Sequence, residues 1–213
     1  VFSFPSPYDI AILLPAIVIG LTFHEYAHAW AADKLGDPTA RYMGRLTLNP
    51  VPHIDPIGLI MLFLFKFGWA KPVPVNPVRL RGNMRRSMML VSVAGPATNI
   101  IIATVASLFF GLILLFESIH LVHIMNNIIL INVILAIFNL LPVPPLDGGK
   151  ILAGLLPGEQ TWLIYLEQYG VIVILLLMFT GVLAKVLWLV IGPLLTVMET
   201  LKAISIGIFG IIF

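Results

Sequence analysis

The sequence predicts an all-α integral membrane protein with about five to six transmembrane helices, and three observations carry that reading. Hydrophobic residues make up 60% of the 213 and charged residues only 10%, whereas soluble domains run near half apolar and a quarter charged. Residues 87–116 and 118–146 contain no Asp, Glu, Lys or Arg, and a helical span needs roughly 20 such residues. Finally, nine of the 12 Lys and Arg residues fall in two loops: Lys34, Arg41 and Arg45 in one, and Lys66, Lys71, Arg79, Arg81, Arg85 and Arg86 in the other. Basic loops between apolar runs report orientation, so the pI of about 9.0 gives no reason to expect nucleic acid. There are no cysteines, which excludes disulfides and thiolate metal sites.

The first span is expected over about residues 4–32. It is not a cleavable signal, because it lacks a basic n-region. A polar loop leads to the apolar patch Ile54–Phe65, whose 12 residues suit a re-entrant or interfacial segment better than a crossing. Further spans are expected over Met88–Phe116 and Leu121–Leu141. The tail from Gly170 is apolar but interrupted by Lys185, Gly192-Pro193, Glu199 and Lys202, giving two helices or one helix and an interfacial piece. Placing both basic loops in the cytoplasm leaves the N-terminus and residues 117–120 outside. This requires the 54–65 patch to enter and leave on one side.

The first span carries His24-Glu25-Tyr26-Ala27-His28, an H-E-x-x-H motif. Residues four apart on a helix share a face, so both imidazoles can reach one Zn²⁺. Glu25, beside the first ligand, is placed to take a proton from a metal-bound water. Three ionisable groups within five residues of a span cost roughly 2.5–3.5 kcal/mol each on insertion scales, so they need a compensating partner. Snorkelling at a helix end would explain the polarity, since Asp33 and Lys34 follow closely, but not the ligand spacing.

Catalytic zinc usually takes three protein ligands, and no third histidine follows locally. The best candidate is Asp147, in Asn139-Leu-Leu-Pro142-Val-Pro144-Pro145-Leu146-Asp147-Gly148-Gly149. The prolines break the helix and the glycines allow a sharp turn. Read in isolation, Asp147 is favoured as the cap of a helix from Gly148 to Leu156. Topology favours the ligand: His24 and His28 lie about 6–12 Å from the cytoplasmic end of their span. The span that begins near Leu121 also ends on that side.

With these residues in hand, the chain resembles the site-2 proteases, intramembrane zinc metalloproteases, in their short prokaryotic form without a PDZ or CBS domain. The resemblance rests on His24-Glu25-x-x-His28 and Asn139-x-x-Pro142…Leu146-Asp147-Gly148. Gly95-Pro96-x-x-Asn99 and Gly68-Trp-Ala-Lys-Pro-Val-Pro-Val75 add to it. It covers nearly all of residues 10–156. It implies a single polytopic domain with a three-helix catalytic core in about residues 4–156, followed by hydrophobic helices in about 168–213. It further implies one Zn²⁺ per chain held by His24, His28 and Asp147, with Glu25 as general base. Asn139 would point into the active site, although an amide in hydrocarbon often simply bonds a neighbouring helix. The implied partners are single-span membrane protein substrates in the lipid bilayer, and the implied location is a prokaryotic plasma membrane with the active site towards the cytoplasm. The sequence leaves oligomeric state open. The 118 residues between His28 and Asp147 exceed what the compact core requires.

Within that insertion His53 and Asp55 could support the metal ligands or simply belong to an interfacial loop, and Gly68–Val75 is expected to be extended, part of a re-entrant hairpin whose edge takes substrate by strand addition. His120 and His123 lie on the outer side and are given no metal role, and Tyr26 and Trp30 read as interface anchors. A transporter with midplane histidines is the competing class, but an ion relay has no need of Glu25 beside a metal ligand. A catalytically silent homologue would be expected to lack one of these groups.

Overall fold

The computed structural model describes residues 6–65, 68–157 and 161–212. Its first helix, α1 (Pro7–Lys34), begins at a capping box: Ser6 Oγ accepts from the Asp9 N–H at 3.1 Å and the Asp9 carboxylate accepts from the Ser6 N–H at 2.9 Å. Pro7 at the first position adds a residue whose missing N–H costs nothing there. A short turn, α2 (Thr39–Tyr42), and a loop lead to α3 (Pro56–Phe65). Helix α4 (Met84–Leu108) is capped by Asn83, whose side chain accepts from the Arg86 N–H at 3.1 Å. The remaining helices are α5 (Phe110–Leu114), α6 (Ile119–Asn139), α7 (Asp147–Leu155), α8 (Thr161–Phe179) and α9 (Val182–Ile212).

Among the described residues four helices, α1, α4, α6 and α9, are long and apolar enough to cross a membrane. Helix α8 contributes a further, shorter apolar stretch, Tyr165–Phe179. The chain is all-α, as its composition predicts; the boundaries move. The expected Met88–Phe116 span starts at Met84 and breaks at Phe109, where α4 gives way to the five-residue α5. The tail helix begins at Thr161, ahead of Gly170, and Gly192-Pro193 lies inside a continuous α9. There one of the charged residues is absorbed: Lys202 is buried, bonds Asn126 at 2.8 Å and Glu199 at 2.9 Å, and lies 4.4 Å from the Phe110 ring centre. Paired in this way, a charge at membrane depth is tolerated.

Helices α1, α4 and α6 pack extensively on one another, α7 lies against α4, and α9 closes the far side against α4, α5 and α6. At ten residues, α3 is about 15 Å long, half of the roughly 30 Å hydrocarbon thickness. The backbone then doubles back: Ile54 pairs with Ala70 in an isolated antiparallel bridge and the Lys71 N–H donates to the His53 carbonyl at 2.9 Å. The patch therefore leaves beside where it entered, as the charge distribution requires. The close return depends on glycine, since a Cβ at Gly58 would collide with the Trp69 backbone.

Candidate metal centre

Helix α1 places His24, Glu25 and His28 in the interior, each less than a tenth exposed. Their spacing of one turn aligns the two imidazoles, whose rings meet edge to face with centres 4.6 Å apart. Asp147 arrives from elsewhere. After α6 ends at Asn139, the Pro-rich turn redirects the chain so that Asp147 is the first residue of α7 and its carboxylate enters the same space. It lies 3.2 Å from His24 Nε2 and 3.1 Å from His28 Nε2, and the two Nε2 atoms are 3.0 Å apart. Of the two sequence alternatives for Asp147 the cap is not realised: Leu146 holds the cap position with no side-chain bond, Asp147 is the first helical residue, and its carboxylate faces both histidines. Gly148 is required beside it, because a Cβ there would strike the Leu140 and Leu141 carbonyls.

The hydrogen bonds behind the rings decide what this triangle is for. His28 Nδ1 lies 2.7 Å from the Val91 carbonyl, and His24 Nδ1 lies 2.6 Å from Asn99 Oδ1. Both partners are acceptors, so each Nδ1 donates to its partner and each ring turns its Nε2 inward. Two ring nitrogens and a carboxylate converging at this range call for a positive charge among them. A tetrahedral ion with bonds of about 2.0–2.1 Å spaces its ligand atoms about 3.3–3.4 Å apart, close to the observed edges. Among the described residues this is the one such cluster of metal-binding side chains. The donor set fits zinc.

Glu25 lines the same cavity as the three donors. Its Oε2 accepts the Val73 N–H at 2.9 Å, so the non-helical run after α3 is tied directly to the centre. That run is anchored elsewhere as well: Arg45 Nη2 donates to the Lys71 carbonyl at 2.6 Å, and buried Asp37 accepts the Asn76 N–H at 2.6 Å. Burial pushes the Arg45 guanidinium below its ordinary range, while the nearby Glu25 carboxylate opposes the shift. Together α1, the 68–75 run, the end of α6 and the Asp147 turn enclose a cavity of about 410 Å³ that holds His24, Glu25, His28 and Asp147.

A family model described as peptidase family M50 matches residues 111–180. The chain is 42% identical over 186 residues to YwhC of Bacillus subtilis, a candidate zinc metalloprotease by name, covering 83% of this chain and 84% of that one. The chain belongs to peptidase family M50. Two further relatives bear the same description: Rip2 of Mycolicibacterium smegmatis, 31% identical over 82% of this chain and 69% of its own, and MJ0611 of Methanocaldococcus jannaschii, 30% identical over 71% and 75%. No solved structure matches the chain. Family and donor set agree that this M50 protein is a zinc metalloprotease.

Asn139 lines the metalloprotease cavity, with its Nδ2 donating to the Leu135 carbonyl of its own helix at 2.9 Å. His53 and Asp55 are not brought to the centre. His53 is fully buried and bonds the Thr47 carbonyl through Nε2 at 2.8 Å. Asp55 opens α3, where the Gly58 and then the Ile57 N–H hold its carboxyl below the usual carboxylate range. His120 and His123 surround the Tyr8 hydroxyl at the opposite end of α1. Trp30 is half exposed, with Lys34 Nζ 6.0 Å from its ring centre.

Sequence reasoning missed the residues behind the histidines. Asn99 was noticed only within a family stretch, and Gly95 without its reason: a Cβ there would lie 2.5 Å from His28 Nε2 and 2.7 Å from His24 Cε1. Asn132 was not singled out at all. Its position seven residues before Asn139, two turns up the same face of an apolar helix, was the available signal.

Proposed function

We propose that this M50 metalloprotease hydrolyses peptide bonds of membrane-embedded protein substrates, with His24, His28 and Asp147 as the zinc ligands and Glu25 as the general base. The observation that carries this reading is the position of the H-E-x-x-H centre. It lies buried among α1, α4 and α6, each long and apolar enough to cross a bilayer, in a cavity floored by the returning 68–75 run. A substrate reaching it from the lipid would be a membrane helix. Zinc, when bound, supplies Lewis acidity that lowers the pKa of water towards about 7.

The residues of the chain supply the rest. Glu25 takes the proton of the attacking water and passes it to the leaving amine. Val73 holds that carboxylate in place through its N–H. Asn139, on the cavity wall, is available to bond the carbonyl under attack or the oxyanion that develops from it. The 68–75 run is suited to hold an unwound substrate, because extended backbone in hydrocarbon costs several kcal/mol per unpaired polar group unless the enzyme pairs it. Its residues Ala70 and Lys71 are already paired with Ile54 and His53, so strand addition would use the edge that faces the cavity. The partners would be single-span membrane proteins in the lipid bilayer, and the bias of basic residues to two loops supports an active site towards the cytoplasmic side of a cell membrane.

Metal analysis of the detergent-solubilised protein tests the ligand set. One zinc per chain is expected, most of it lost in His28→Ala and in Asp147→Ala. Full zinc in Asp147→Ala would move the third ligand elsewhere.

A further inference from the structure

We propose that Asn132 is a positioning residue for zinc, acting through Asn99 to fix the His24 ring with Nδ1 as the donor and Nε2 turned to the metal site. Asn99 and Asn132 are both completely buried, on α4 and α6. Asn132 Nδ2 donates to the Ile128 carbonyl at 2.8 Å, and Asn99 Nδ2 donates to the Gly20 carbonyl at 3.0 Å and to Asn132 Oδ1 at 2.8 Å. Backbone carbonyls only accept, so the Ile128 and Gly20 oxygens dictate which end of each amide is NH₂. Both amides are thereby oriented without ambiguity, and the one oxygen left to Asn99 faces His24 Nδ1 at 2.6 Å.

Only an N–H satisfies that contact, so the His24 proton belongs on Nδ1 and its Nε2 lone pair faces Asp147 and His28. The polarity set at the Ile128 carbonyl in α6 thus runs through α4 and is delivered to the ligand on α1. Without Asn132, one N–H of the Asn99 amide loses its acceptor at a depth where no bulk water replaces it. Asn99 then turns to find another, and its hold on the ring loosens. His28 has an independent partner in the Val91 carbonyl and is unaffected. The same contact explains Gly20, where a Cβ would lie 2.7 Å from Leu135 Cδ1 and 3.5 Å from Asn132 Oδ1: the small residue lets α6 approach α1 closely enough for the chain of bonds to close.

This inference rests on His24 being a ligand, and a double-mutant cycle separates the two claims. Zinc affinity is measured by chelator competition on full-length protein in detergent, with helix content and thermal unfolding followed in parallel. Loss of a partner behind a ligating histidine weakens metal binding about tenfold to a hundredfold. Asn99→Ala and Asn132→Ala are each expected to do so, and the double variant to bind no more weakly than Asn99→Ala. Additive losses, or zinc affinity within twofold of wild type for Asn132→Ala, would overturn the relay. Unchanged affinity in His24→Ala would instead remove the ligand assignment beneath it. Should Asn132→Ala not fold, ¹⁵N-histidine NMR of the zinc-loaded wild type decides alone: the His24 proton is expected on Nδ1, and a proton on Nε2 ends the proposal.

Discussion

The Val73 N–H donates to Glu25 Oε2 over 2.9 Å, joining residues 48 apart in the chain. One partner comes from the H-E-x-x-H helix and the other from the run that returns after α3. Val73 lies between Pro72 and Pro74, neither of which has an N–H to offer. The donor for Glu25 is therefore the only one within that three-residue stretch.

This contact changes what proline substitution should do along the run. Val73→Pro deletes the N–H that Glu25 uses, so it should impair proteolysis of any substrate through the base itself. Val75→Pro leaves Glu25 untouched and should slow cleavage of transmembrane substrates alone, with zinc content intact. Equal rates for Val75→Pro and wild type on a single-span substrate would reduce the run to a rigid connector.

Glu25→Gln should retain zinc and fold while losing proteolysis, because an amide keeps the shape but takes up no proton near neutral pH. General base catalysis contributes about 10²–10⁴ in rate, and activity within tenfold of wild type would show that another group does this work. Asn139→Ala should lose about 10²–10³ if its amide bonds the developing oxyanion. Rates are read in detergent or liposomes against a single-span substrate.

Gly95→Ala should weaken zinc binding without unfolding the helices. The added methyl carbon would lie 2.5 Å from His28 Nε2, and overpacking of this kind costs typically 1–3 kcal/mol. Because the obstructing atoms belong to the ligand rings, the cost should fall on metal affinity more than on thermal stability. An unfolding midpoint lowered with zinc affinity unchanged would mean that α4 shifts and the rings stay.

Orientation is open to single-cysteine labelling, for which the absence of native cysteines is convenient. Arg45 is unsuitable as a probe site, being buried on the Lys71 carbonyl; Tyr42, 77% exposed, replaces it. Cysteines at Tyr42 and Arg81 should both be shielded from an impermeant thiol reagent in intact cells, and one at Ser118 should be labelled. Opposite behaviour of Tyr42 and Arg81 would contradict the hairpin at 54–70.

The sequence by itself determined the class of the protein and the donors of its chemistry. Uncharged runs of 30 and 29 residues have few stable homes outside a bilayer, and H-E-x-x-H carries its geometry locally, because one helical turn suffices to align two imidazoles. Even the return of residues 54–65 was legible, since charge bias is written along the chain. What only the tertiary structure decided are the relationships across helices. Asp147 is both a helix start and a neighbour of His24, which linear spacing could not separate. The Asn132–Asn99–His24 bonds and the Val73–Glu25 bond join segments 33 to 75 residues apart. Such contacts depend on how α1, α4 and α6 rotate against one another. That rotation is set by close packing at small residues such as Gly20 and Gly95, and no periodicity within a single helix encodes it.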